Sequence, residues 1–488
     1  MLDRLDFSKP LDCDVAVAGA GLAGLVAGAI LARRGRRVAV LDGPARPGGR
    51  GGSTSHRGYW LDGGQRDGRD VGDLQVGWRY GQLAAREADV DVPLRVVEPR
   101  VRVHQLPEDP ARGEARVVDG HWGAKGFVRL AREALGCPEA LIPDLAKLLA
   151  QLAGTSAEER RAAIPLPLVD WLARHAAHPE LRRAVLTLVT VIYCEHPERA
   201  SAGRLMGFLA RRDDLPPLQT AFPNHPELGG MQGLVAPFAE AIEARGGRLL
   251  LGLEPAEVLF AGERAAGLVA RDESHLALEV RARSVVLAYP VWQALALVPA
   301  ARVDPSLAAL ARALEDEQAE AIGWQAGLTR LPRLRATGQA EAHVGWNRLL
   351  VGPERRYLGG FHLPSLACAS AAPPGRQLLH AFVARWAARE ERVAWSEARA
   401  SIERVLAYLR SFYLDLDACV EWSATQWIER PACLAWYWAP LLRHGVHVPG
   451  CPGLYLASTT FESEAGPVDI SAHAGLEAAR AILEQATT

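Results

Sequence analysis

Two short apolar runs stand near the start of the chain, Val-Ala-Val-Ala after Asp14 and Val-Ala-Val-Leu after Arg37, the first ending at Gly19 and the second at Asp42. Both read as short strands, and the apolar stretch between them, up to Arg34, reads as a helix. Residues 58–62 predict another short strand, closed by a tight turn at Gly63-Gly64. The intervening run from Gly43 to Ser53 holds too much glycine for any regular element. From about residue 125 to 215 the period becomes helical, with strong apolar faces at 141–152 and 181–193 and breaks at Pro165 and Pro167. Gly229-Gly230 opens a helix over 234–244, which Gly246-Gly247 stops. Strand-like runs follow at 248–252, 256–260, 265–270, 277–281 and 284–288. Beyond residue 300, strand-like segments (322–328, 378–386) alternate with helices such as 397–412, and a strand at 453–457 and a helix over 470–485 close the chain.

This order implies a discontinuous domain. A strand–glycine turn–helix–strand start gives way to a helical block, returns to α/β, gives way again, and closes on a strand and helix. Residues 1–100, 225–300 and 425–488 are expected to form one domain, and 101–224 with 301–424 a second that covers the reactive end. A length of 488 residues agrees with more than one core.

Composition removes some functions. A net charge of −2 gives no basic field for nucleic acid. Seven scattered cysteines without a C-x-x-C pair suggest neither a metal site nor a disulfide framework. The acidic N-terminus does not read as a secretory signal, so a cytoplasmic location is the expectation. Residues 15–32 hold 18 positions without a charge, near the lower limit for a membrane span, but glycines at 19, 21, 24 and 28 and the arginine-rich exit fit a soluble unit better.

The candidate chemistry sits in the first turn, Gly19, Ala20, Gly21, Leu22, Ala23 and Gly24. Gly19 permits the tight turn, Gly21 lets the backbone approach a pyrophosphate, and Gly24 lets the helix pack on the sheet. The helix N-terminus offers N–H groups to the phosphates. Asp42 stands where a carboxylate accepts hydrogen bonds from ribose hydroxyls and repels a 2′-phosphate, which disfavours NADP.

These residues, with Gly48-Gly49-Arg50, the Gly229-Gly230 to Gly246-Gly247 unit and the C-terminal Pro452-to-Ala479 segment, resemble the FAD-dependent amine oxidases, phytoene (carotenoid) desaturases and protoporphyrinogen oxidases. The resemblance implies an α/β fold: a discontinuous, Rossmann-like FAD-binding domain of the glutathione-reductase type, with a parallel sheet and a three-stranded β meander, plus an inserted α+β substrate domain. It places Gly48, Gly49 and Arg50 against FAD, with the guanidinium neutralising pyrophosphate charge, and adds Gly64. Amine oxidases end their last strand with Gly-Asp, which binds the ribityl chain, whereas this chain has Ser458-Thr459, nearer the desaturase pattern. Thr459 is expected to offer a hydroxyl there. Backbone N–H groups near Asp469 and Ile470 are expected to face the flavin, with Asp469 as an N-cap the competing reading.

No lysine follows Lys147, so the lysine that such amine oxidases place near the flavin is missing. The run Trp436-Tyr437-Trp438 suits a half-buried strand better than an amine-binding cage. The leading expectation is therefore an FAD-dependent oxidoreductase working by hydride transfer on C–C or C=C bonds of a small lipophilic, isoprenoid- or carotenoid-like substrate. Electrons would pass to oxygen or a quinone, since no second dinucleotide fingerprint is present. An amine or amino-acid oxidase, and a lipid-binding protein without redox chemistry, are the alternatives. No general base stands out; His56, His121, His444 and His447 are candidates by residue type alone. Peripheral membrane contact through an apolar helix pair in 141–194 is a further expectation.

Overall fold

A computed structural model describes residues 6–62, 76–97, 100–107, 115–121, 124–193, 200–210, 216, 219–344, 348–352, 357–386, 393–428 and 441–485. Its centre is a five-stranded parallel sheet. Across that sheet the strands run Arg248–Leu251, Val38–Asp42, Val15–Ala18, Ser284–Leu287 and Leu454–Leu456. The chain thus works outward to one side from Val15–Ala18, then returns to its other side. A doubly wound sheet binds its ligand in the crevice where the strand order reverses, and here that point lies at the end of Val15–Ala18.

The central strands are buried on both faces, which explains why their apolar runs do not alternate. The helix Leu22–Arg33 is wedged between the helices Gln232–Ala244 and Pro467–Gln485. Glycines set both spacings. A Cβ on Gly475 would lie 2.3 Å from the Ala23 carbonyl oxygen, and one on Gly28 would lie 2.9 Å from Ile242 Cδ1. The antiparallel meander Glu254–Ala261, Arg264–Arg271 and Ala277–Arg281 is present, with the two-residue strand Leu11–Asp12 added in parallel at its edge.

A seven-stranded sheet roofs this body, built from Arg100–Gln105 and Arg116–His121 together with five strands between Ala319 and Ile428. The helix Trp395–Phe412 covers its outer face through Ile402, Val405 and Leu409. Its inner face turns toward the nucleotide-binding body: Val101, Val103, Leu349, Val351 and Phe382 share one core with Val17 and Leu25. The helices Ile142–Ala153 and Pro179–Tyr193 also spend their apolar stripes in that core, through Leu145, Leu149, Val185 and Leu188. This corrects the expectation that the pair lies on a membrane: those faces are already covered. Among the described residues no helix is long and apolar enough to cross a bilayer.

Candidate functional site

The three glycines of the first turn have three different physical reasons. Gly19 has φ +107°, a conformation that L side chains avoid, and its N–H donates to the Leu41 carbonyl at 2.7 Å. Gly24 is a packing glycine, since a Cβ there would lie 2.0 Å from the Gly19 carbonyl oxygen. Gly21 is neither. Its φ of −74° suits any residue, and a Cβ there would meet no protein atom within 4 Å. Inside a fold this dense, that space marks where a ligand approaches the backbone. Around it, Ala20, Leu22 and Ala23 are buried, and the helix begins without a side-chain cap.

Two neighbouring helices differ in this respect. The Met231 and Gln232 N–H groups, at the start of Gln232–Ala244, donate to Asp62 Oδ1 and Ser53 Oγ, each at 2.9 Å. The start of Tyr80–Ala88 is held by a carboxylate described below. The helix behind Gly21 is the one of the three left for an anion.

The run expected to lack regular structure forms a 3₁₀ turn, Gly49–Gly51, because it is pinned on both sides. The Gly48 N–H donates to the Ala20 carbonyl at 2.8 Å, and a Cβ on Gly49 would lie 3.1 Å from Gly21 Cα. Gly48 and Gly49 have φ of +135° and +55°, so glycine serves both conformation and proximity. Arg50 then reaches the far end of the sequence, donating from Nη2 to Thr459 Oγ1 at 2.8 Å. Residues 19–24, 48–50 and 459 thus meet around one space, and this donor set fits a dinucleotide. Arg50→Ala is expected to weaken FAD binding roughly tenfold or more, the worth of a charge-assisted contact. Unchanged affinity in fluorescence titration would reduce Arg50 to a brace for Thr459.

Asp42 is buried and engaged from several sides. Its Oδ2 accepts from the Ala20 N–H at 2.9 Å, while Oδ1 accepts from the Gly43 N–H at 3.0 Å and the Tyr289 hydroxyl at 3.1 Å. The carboxylate therefore shapes the turn beside which a ribose would lie.

At the end of the last strand the expected pair separates. Thr459 faces Arg50, whereas the Ser458 hydroxyl is turned into a buried network with Thr460 Oγ1 at 2.6 Å and His444 Nε2 at 3.3 Å. His444 Nε2 also lies 2.7 Å from Thr460 Oγ1, and its Nδ1 lies 2.7 Å from the Gly445 carbonyl. That carbonyl fixes the proton on Nδ1, so Nε2 is an acceptor. Burial pulls the His444 pKa down to about 4. A neutral, hydrogen-bonded histidine of this kind positions the strand end and is not a general base. Ser458 is corrected in the same sense: its hydroxyl is committed within the protein.

Asp469 is also corrected. It is the third residue of Pro467–Gln485, not the cap of its own helix. Its carboxylate accepts from the N–H groups of Arg79 and Tyr80 at 3.1 and 3.0 Å and of Gly81 at 2.8 Å. It thus caps Tyr80–Ala88. Burial raises its pKa to about 6, against the pull of those N–H donors. The Ile470 N–H donates to the Gly466 carbonyl at 2.7 Å inside its own helix, so it does not face a ligand.

Gly64 and the Trp436-Tyr437-Trp438 run lie outside the described residues. His56 is exposed with its ring edge-on to Trp422, and His447 is exposed beside Tyr455; His121 ends a strand of the roof sheet. The sequence reading missed Thr460, Tyr289 and Asp62. Each acts through a partner more than 150 residues away, at Val291, Asp42 and Met231 respectively, so no local pattern announces it.

Acid is expected to destabilise the protein. Burial also pulls the His380 pKa down, to about 3. Both His380 and His444 favour folding fully above the unfolded value of 6.5, and that contribution falls as pH drops toward their folded values. Asp469, raised from 3.8 to about 6, acts the other way below pH 6. The net loss between pH 6.5 and 5 is about 2–3 kcal/mol. Urea midpoints across that range test it, and a flat profile would contradict it.

Comparison with known proteins agrees with this geometry. The family model for flavin containing amine oxidoreductase matches residues 22–483, and the chain belongs to that family. It is 26% identical over 285 residues to the phytoene desaturase (neurosporene-forming) of Rhodobacter capsulatus, a match covering 54% of this chain and about half (51%) of that relative. In fold it is similar to an oxidoreductase from Methanosarcina mazei, with TM-score 0.68, 17% identity and coverage of 96% of this chain and all (100%) of that one. It is also similar to cyclohexylamine oxidase from Brevibacterium oxydans, with TM-score 0.59, 18% identity and coverage of 98% and 100%. The protein is an FAD-dependent oxidoreductase of the amine oxidase superfamily.

Proposed function

We propose that this flavin containing amine oxidoreductase acts by hydride transfer on a C–C or C=C bond of a lipophilic, isoprenoid- or carotenoid-like substrate. The observation that carries the reading is the chemistry of the roof sheet's inner face. Strand register places Trp422, Ala424, Gln325, Leu378, His380, Phe382 and His362 on it. None of these seven side chains is a carboxylate, lysine or arginine; Glu421, at the bulge beside Trp422, is engaged by the Tyr59 hydroxyl and Arg376, and Arg116 is exposed at the far edge of the sheet. A protonated amine buried there would lose its hydration without gaining a counter-charge, while a hydrocarbon would gain by leaving water. The missing lysine after Lys147 and the partial likeness to a phytoene desaturase support the same reading.

When bound, FAD would supply a two-electron hydride carrier, with oxygen or a quinone as the acceptor class. Around it, Gly21 and the following helix would hold the pyrophosphate, Arg50 would neutralise it, Asp42 would meet the ribose, and Thr459 the ribityl chain. The roof would exclude water and orient the chain of the substrate. Anaerobic mixing tests the proposal: C30–C40 polyisoprenoids should bleach the flavin band and primary amines should not. Bleaching by amines alone would make it an amine oxidase.

A further inference from the structure

The donors that hold Asp42 come from two sides. Ala20 and Gly43 offer backbone N–H groups from the first turn and from the next residue, whereas the Tyr289 hydroxyl arrives from beyond the central strand. Asp42 ends Val38–Asp42, and Tyr289 follows Ser284–Leu287, the strand on the other flank of Val15–Ala18. Strands two places apart in a sheet are separated by about 10 Å, a gap that takes a long side chain to cross. The phenol crosses it beside the Gly19 turn, at the carboxyl end of the sheet where a doubly wound fold takes its ligand.

The backbone on either side of Tyr289 is fixed. The Ala288 N–H donates to the Ala18 carbonyl at 2.7 Å, and the Ala288 carbonyl oxygen would lie 3.1 Å from a Cβ on Gly19. Just past Pro290, the Val291 N–H donates to Thr460 Oγ1 at 3.1 Å. The glycine turn at one end and the closing turn at the other thus aim the tyrosine. Its ring packs against the core that holds Leu287, Val291 and Leu295. Phenylalanine would serve that packing equally well, so the hydroxyl answers to Asp42 and to what lies beyond it.

Asp42 is 3% exposed, whereas Tyr289 is half-buried and the more open of the two to the crevice. A carboxylate can only accept, so the phenol donates to Asp42, and a phenol oxygen accepts as well as donates. Hydrogen bonds in a chain polarise one another, so the carboxylate behind it makes that oxygen a stronger acceptor.

We propose that Tyr289 reads the adenosine ribose of FAD: its oxygen accepts from the ribose 2′-hydroxyl while its own proton goes to Asp42. Asp42 then meets the ribose through Tyr289. The inference rests on the placing of FAD in the glycine cradle and is independent of the substrate.

The test titrates FAD and its 2′-deoxyadenosine analogue into deflavinated protein and follows flavin fluorescence. Wild type should bind FAD about tenfold more tightly than the analogue, the worth of a charge-assisted hydrogen bond. Tyr289→Phe should bind the two within about twofold, with FAD weakened to the level of the analogue. Comparing two ligands on one variant is insensitive to a general loss of stability, and Tyr289→Met gives the same readout should the phenylalanine variant not fold. A tenfold preference that survives in the variant would mean that another group reads the hydroxyl and that Tyr289 only packs, which overturns the inference. Equal binding of the two ligands by wild type would also overturn it and leave the cradle standing. Binding of neither ligand by wild type would overturn the placing of FAD and this inference with it.

Discussion

Gly21→Val is expected to fold as the wild-type apoprotein does and to lose FAD binding by at least about 100-fold, or roughly 3 kcal/mol. The expectation comes from the contrast among the glycines of one turn. At Gly21 the backbone is in an ordinary extended conformation and a Cβ meets nothing within 4 Å, so the fold itself does not demand glycine. A valine there would project into the space between the first helix and the Gly48-Gly49-Arg50 turn. Gly24→Ala gives the opposite pattern, because its Cβ would sit 2.0 Å from a carbonyl oxygen and the turn itself must shift. Gly445→Ala, with open space around its Cβ and no positive φ, serves as a neutral control. Melting curves of the apoproteins together with FAD titration separate these cases. If Gly21→Val bound FAD as wild type does, the ligand would have to lie elsewhere.

Asp469→Ala should be the most destabilising single change outside the glycine turn, at about 3–5 kcal/mol. Its carboxylate accepts from three successive backbone N–H groups, those of Arg79, Tyr80 and Gly81. Removing it strips the N-terminal cap from Tyr80–Ala88 and leaves buried donors without acceptors. Against a typical total of about 5–15 kcal/mol the loss is severe. Asp469→Asn keeps one acceptor oxygen and should lose about half as much. Urea unfolding of the two variants checks the order; equal and small losses would mean that water readily replaces the carboxylate.

The fold was legible where local chemistry repeats along the chain. The glycine turn, the second strand with its acid and the meander all follow from neighbouring residues, and they appear at Val15–Ala18, Val38–Asp42 and Glu254–Arg281 within a few positions of the expectation. The helices 141–152 and 181–193 were also readable, as Ile142–Ala153 and Pro179–Tyr193, but where their apolar faces go was not. An apolar stripe has the same pattern whether it meets a bilayer or a core. The site was legible only in part for a similar reason. Asp469 lies in the first turn of a helix, as an N-cap acid would, yet it serves a helix almost 390 residues away in sequence. Ser458 and Thr459 are adjacent and chemically alike, and only the turn after the last strand sends one to His444 and the other to Arg50. The 3₁₀ turn at Gly49–Gly51 depends on a bond to Ala20 that no glycine count reveals.

The most direct test of the whole account is the absorption spectrum of the purified protein before and after denaturation. Bands near about 375 and 450 nm, recovered in the supernatant as FAD once the protein is unfolded, are the predicted result for a non-covalent cofactor held in the Gly21 cradle. A colourless protein that also fails to take up added FAD would contradict it.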